Sequence, residues 1–295
     1  MTWTEVFTDY TLRNVALGSA ILGVVSGVLG TFAVLRRQGL AGDALAHAAL
    51  PGICLAYLAT GSKAAPVLML GAALAGWVGM VILIGFLRRT RVDPGSALAI
   101  VLTTFFGFGV VLLTVVQKRP DAGQAGLDKF LFGQAAALVQ DQVVLMAGLS
   151  VVVLVLIAAL FKEFKVFVFD VDYARTLGLP TGRLGALLTA LLVIAIVIGL
   201  NTVGVVLMSA MLVAPAAAAR QWTESLGRMI LLAAGFGATA GIFGALWSVS
   251  QDHTPTGPAI VLILSLLVVV SLLFGSSRGW VWERVRRHRQ SGVGA

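Results

Sequence analysis

Apolar residues in this chain gather into long runs, and charged or turn-forming residues separate them. The first run covers roughly 14–35 and closes on Arg36-Arg37; the second covers 40–60 and holds Asp43, His47 and Pro51. The third, 65–87, closes on Arg88, Arg89 and Arg91, and the fourth covers 95–117. A mixed polar stretch, 118–140, follows, then a fifth run over 141–161 closed by Lys162, Glu163 and Lys165. After a short amphipathic piece at 170–182, the chain is almost unbroken apolar from 183 to 219. At about 1.5 Å rise per residue this is too long for one helix across about 30 Å of hydrocarbon. A break at Asn201-Thr202 divides it into two spans, and runs at 226–250 and 258–275 complete the pattern. Runs of this length with so few charges predict an all-α, polytopic membrane protein of about nine transmembrane helices.

The charges between the runs give an orientation. With the N-terminus outside and the C-terminus cytoplasmic, only Arg13, Lys63, Lys118, Arg119 and Lys129 of the 21 Lys and Arg fall outside. The acids divide evenly between the two sides, with Asp43 left within the membrane, as expected when Lys and Arg set topology and acids contribute little. The chain then reads as an external segment, 1–13, a transmembrane domain, 14–275, with a cytoplasmic segment at 170–182, and a basic cytoplasmic tail, 276–295. The start, MTWTEVFTDYTLRN, lacks a basic stretch followed by an apolar one. The first span is therefore expected to act as the insertion signal.

Composition narrows the class further. Of 295 residues, 59% are hydrophobic and 12% charged, and the mean hydropathy is +0.98, which excludes a water-soluble enzyme. A net charge of +8 would suit nucleic acid, but the positive residues sit at the ends of spans. Membrane lipid, not nucleic acid, is the expected partner of that charge, including His288 in the basic tail. Cys54, the single cysteine, excludes an internal disulfide and reads as packing. Gly23-x-x-x-Gly27 and Gly237-x-x-x-Gly241 each place two small residues on one helix face, read as close helix packing rather than a dimer seam. No inverted repeat is visible, which weighs against the secondary transporters built from such repeats.

Candidate chemistry centres on Asp43. A carboxylate within a span costs about 2.5–3.5 kcal/mol on insertion scales, so it is a functional candidate by default. His47 follows one turn later on the same face. One oxygen and one imidazole nitrogen make half of a site for Mn²⁺, Fe²⁺ or Zn²⁺, and the lack of a thiolate speaks against Cu⁺. The spacing fits equally a hydrogen-bonded pair that joins helices. Pro51 removes a backbone donor from this same helix, a common way to bend or open one near a binding site. His253, in HTPTGP, reads as a loop residue, and Met208 and Met211 as packing. The sequence has no G-x-x-x-x-G-K-[ST], so any ATP-driven cycle requires another polypeptide. The piece DVDYARTLGLPTG, 170–182, reads as a short helix stopped by Gly178 and Pro180. It fits either a helix that docks in a soluble partner or a plain interfacial helix.

LRRQGLAGDALAHAALPG (35–52) resembles the signature of the metal-ion permease family of bacterial ABC importers, whose members move manganese, zinc or iron. The likeness continues through DPGSALAIVLTTFFGFGVVLL (93–113), GQAGLDKFLFGQ (123–134), DVDYARTLGLP (170–180), NTVGVVLMSAMLVAPAAAAR (201–220) and HTPTGPAIVL (253–262). The resemblance implies a multi-pass permease of the bacterial inner membrane that pairs with a second copy or a paralogue. Two ATP-binding subunits are implied below it and an external metal-binding lipoprotein above. It also implies that Asp43 and His47 meet the metal, that two-fold pairing gathers both pairs at one axis, and that 170–180 couples to the ATPase. Asp172, Tyr173, Arg175 and Gly178 are the residues expected to carry that coupling. The chain itself is expected to hold no cofactor and to catalyse nothing, with the divalent ion as transported substrate. Segments 93–113 and 123–134 resemble the manganese/iron branch of the family more than the zinc branch, so manganese is the expected ion, with iron and zinc as alternatives. The rival readings are a proton-coupled secondary transporter and a structural membrane subunit without transport activity.

Overall fold

In hydrocarbon every backbone N–H and C=O must be satisfied within its own segment, so apolar runs of this length propagate as α-helix. The computed structural model describes residues 10–62, 64–118, 138–200, 203–250 and 254–282. Among the described residues there are helices and turns and no strand. The helices are α1 (Tyr10–Leu35), α2 (Gly39–Thr60), α3 (Ala65–Arg89), α4 (Pro94–Gln117), α5 (Gln140–Ala159), α6 (Phe161–Phe169), α7 (Val171–Thr176), α8 (Thr181–Leu200), α9 (Val205–Arg220), α10 (Leu226–Ser250) and α11 (Thr256–Phe274).

Eight of these helices are long and apolar enough to cross a membrane: α1 to α5, α8, α10 and α11. The remaining expected span corresponds to α9, which has 16 residues and a length of about 24 Å at 1.5 Å per residue, short of a full hydrocarbon thickness. The long apolar stretch does break where expected. Its helix α8 ends at Leu200, and α9 resumes after Gly204, whose φ of 85° suits a residue without Cβ. Asn201 and Thr202 themselves lie outside the described residues.

The centre of the bundle is built on α1, which packs along α10 and also touches α9 and α5. The two small-residue motifs meet each other there. A Cβ on Gly23 would run into the Gly237 carbonyl, and one on Gly237 into the Gly23 carbonyl. Close packing within the chain, as read from the sequence, is therefore the use of both motifs. On the other side α2 packs against α3 and α4, and α8 is largely buried. The outer faces of α4, α5 and α11 expose Val111, Val144 and Leu266, an apolar periphery suited to lipid.

Two features depart from the sequence reading. The charged cluster Lys162, Glu163 and Lys165 does not lead straight into a loop; it lies on α6, a nine-residue helix with Phe164 and Phe167 buried on its other face. The tail also begins attached rather than free. Ser277 and Arg278 donate backbone N–H bonds to the Gln221 carbonyl at 2.9 and 3.1 Å, and the Trp222 indole donates to Ser271 Oγ at 2.9 Å. Residues 283–295 lie outside the described residues.

Candidate functional site

Asp43 and His47 lie one turn apart near the start of α2, where their side chains share a face. His47 Nε2 is 3.5 Å from Asp43 Oδ1, with the His47 side chain 14% and the Asp43 side chain 29% exposed. The other imidazole nitrogen, Nδ1, is buried without a hydrogen-bond partner. The ring is held edge-on against Phe106 of α4, with centroids 4.7 Å apart. Ser209, from α9, lines the same cavity as Asp43. Pro51 sits inside α2 and has no N–H, so the His47 carbonyl lacks its usual donor one turn ahead.

Asp43 opens into a cavity of about 520 Å³ lined by Val34, Arg37, Gly39, Ser209, Ala210 and Val213. The cavity thus gathers the end of α1, the start of α2 and one face of α9. Its lining offers the Asp43 carboxylate and the Ser209 hydroxyl, and the His47 imidazole, the other donor type that suits a borderline divalent ion, stands behind the carboxylate at 3.5 Å. Among the described residues no cluster of three or more His, Cys, Asp or Glu side chains forms.

The turn between α1 and α2 connects this cavity to the segment 161–182. Arg36 lies with its guanidinium 4.4 Å from the centre of the Phe167 ring, and Phe32 packs against Phe164 at 5.8 Å. Burial holds the Arg36 guanidinium below its ordinary pKa. Beyond α6, the short helix α7 is capped by Asp170, which accepts the Tyr173 N–H at 2.8 Å. Arg175 pairs with Asp172 at 2.8 Å on its exposed side. Gly178 ends α7 with φ 75°, as the sequence reading required. Its N–H reaches the Arg175 carbonyl, and that of Leu179 reaches Ala174. Tyr173 and Leu177 are half-exposed while Ala174 is fully buried, so the helix lies on the bundle and presents a face outward.

The remaining candidates fall into place as packing. Cys54, Met208 and Met211 are fully buried in the core, and His253 lies outside the described residues. The place of Ser209 and Arg37 in the lining of the Asp43 cavity was not recognisable in sequence: a serine in an apolar run gives no signal, and Arg37 read as topological charge alone.

A bundle in which eight helices are long and apolar enough to cross a membrane, with an acid at an open cavity on one side of it, marks a polytopic membrane protein. The ABC 3 transport family model matches residues 8–275, and the chain belongs to that family. It is 48% identical over 287 residues, 97% of this chain and 96% of the relative, to a zinc transport system membrane protein, TroC, of Treponema pallidum. It is also 48% identical over 275 residues to the manganese transport system membrane protein MntC of Bacillus subtilis, covering 93% of this chain and 63% of that relative. Its fold matches the solved structure of PsaBC from Streptococcus pneumoniae in complex with Fab, with a TM-score of 0.84 and 27% identity over 95% of this chain and 98% of that one.

Proposed function

We propose that this chain is the permease subunit of an ATP-driven importer for a divalent transition-metal ion, manganese or zinc. The observation that carries the reading is the Asp43–His47 pair, 3.5 Å apart, with Asp43 lining the cavity beside Ser209. The names of the two relatives at 48% identity support the cargo class and divide between zinc and manganese. In this reading the protein sits in the bacterial inner membrane with its N-terminus outside. Residues 14–275 form the permease domain, and 276–295 are a cytoplasmic tail. Two copies, or this chain and a paralogue, bring both Asp43–His47 pairs to one path. A set of two carboxylates and two imidazoles holds the ion while leaving room for water, at an affinity low enough for release.

ATP is hydrolysed by two separate subunits, and an external metal-binding lipoprotein delivers the ion. The segment 170–182 transmits the ATPase motion. Its capped helix α7, exposed Tyr173 and Arg175, and the Gly178 stop support that role, and the neighbouring helix α6 provides a link to the turn beside Asp43 through the Arg36–Phe167 contact.

The test is uptake of Mn²⁺ and Zn²⁺ into vesicles holding the reconstituted complex. Uptake that requires ATP and survives collapse of the proton gradient is the expected result. Uptake that continues without ATP and stops with the gradient would establish the proton-coupled alternative, and no uptake of either ion would leave a structural subunit.

A further inference from the structure

Arg37 is the one non-glycine residue among the described residues with a positive φ, 57°. It terminates α1 in a two-bond motif: the Arg37 N–H donates to the Val34 carbonyl and the Gln38 N–H to the Ala33 carbonyl. The position between those bonds is left-handed, and glycine is the residue that fills it without steric cost. The cytoplasmic positive charge that topology asks for is already present next door in Arg36, and a basic residue at position 38 would add to it with no backbone penalty. A side chain kept at a strained position points to a use for that side chain.

The use is suggested by where it sits. Arg37 is exposed and lines the same cavity as Asp43 and Ser209. No ion pair joins Arg37 to Asp43 among the described residues. The guanidinium is permanently charged, so it raises the energy of a divalent cation in this cavity without ever competing for protons. We propose that Arg37 is the release residue of the pathway: its charge keeps the Asp43–His47 site weak on this side and hastens departure of the ion. This rests on the reading of Asp43 and His47 as the pair that meets the metal. Once the ion has gone, Arg37 remains as a cation lining the cavity of the vacated carboxylate, and so opposes rebinding from the same side. Arg36 and Arg37 thereby divide the turn between them. The first is anchored on Phe167, and the second faces the cavity.

The experiment measures equilibrium binding of Mn²⁺ and of Zn²⁺ to the complex in nanodiscs, and ATP-driven uptake in vesicles, for four variants. Arg37→Gln should tighten binding about tenfold, the scale of removing one partly screened charge from near a divalent ion. It should also lower both the half-saturating metal concentration and the maximal rate. Arg37→Gly should share that phenotype while expressing at least as well as the native chain, because it relieves the left-handed backbone. Arg37→Lys should keep native binding and uptake. Native affinity and maximal rate in both Arg37→Gln and Arg37→Gly would overturn the proposal, as would an Arg37→Lys variant that behaves like Arg37→Gln. Asp43→Asn separates the two readings. If it abolishes binding while the Arg37 variants change nothing, only the release role falls. If it binds metal as the native chain does, the site reading fails and the release role with it.

Discussion

Arg37 and Gly178 occupy the same position in the same helix-ending motif. Both are left-handed, at φ 57° and 75°, and the next residue of each, Gln38 or Leu179, donates its N–H to a carbonyl five residues back. One turn leads into the Asp43 cavity and the other ends the exposed helix α7. A Cβ at Gly178 would meet nothing within 4 Å, so the requirement for glycine there is one of backbone conformation alone.

Gly178→Val should therefore strain the turn by about 1–2 kcal/mol and shift α7 without harming insertion. Arg175→Glu reverses the exposed charge next to Asp172. Both variants are expected to reach the membrane in native amounts and to lose metal uptake and ATPase co-purification. Retention of the ATPase subunits and native uptake by both would remove the coupling role of 170–180.

Asp43→Asn with His47→Gln tests the site directly. Deleting a carboxylate from a span relieves an insertion cost, so protein levels should hold. Uptake should fall steeply, with docking of the ATPase and lipoprotein unchanged. A pair that merely joined helices would behave otherwise: amides still hydrogen-bond, stability would move by about 1 kcal/mol, and uptake would persist.

Gly23→Leu should prevent α1 and α10 from closing, because the new side chain would meet the backbone around Gly237. Overpacking of this kind costs about 1–3 kcal/mol or more. The expected outcome is a lower yield of monodisperse protein in detergent and earlier thermal inactivation, with Gly148→Leu, an open position on α5, as the neutral control.

Topology is checked with single cysteines in a Cys54→Ser background. Cys54 is fully buried, and serine in its place can keep the bond to the Gly109 carbonyl, so the background should fold as the native chain does. Cysteines placed within 121–127 should react with an impermeant reagent from outside, and those within 276–282 only after the membrane is opened. Reaction of both sets from one face contradicts an outside N-terminus with a cytoplasmic C-terminus.

Most helix limits were legible because charge and turn residues stop apolar runs sharply: 40–60 became Gly39–Thr60 and 226–250 became Leu226–Ser250. The break near Asn201 was legible from length alone. Helix α6 was not, since Lys162, Glu163 and Lys165 look like the end of a span unless one knows that Phe32 and Arg36 wait to cover Phe164 and Phe167. Asp43, the centre of the candidate site, was legible, because an acid inside a span announces itself through its cost. Ser209 was hidden, since its place beside Asp43 comes from the packing of α9 on α2, a contact between segments far apart in sequence.

The backbone contact between Gly23 and Gly237 also sets an order of events during synthesis. Helix α1 leaves the ribosome long before the helix that it packs along most extensively, α10, since 190 residues separate the end of α1 at Leu35 from the start of α10 at Leu226. At about 5–20 residues per second the wait is on the order of ten seconds or longer. Through that interval the glycine face of α1 has only lipid or the insertion machinery against it. Truncated nascent chains that end before Leu226 should therefore hold α1 accessible to crosslinking by the insertase, and extension past Ser250 should release it.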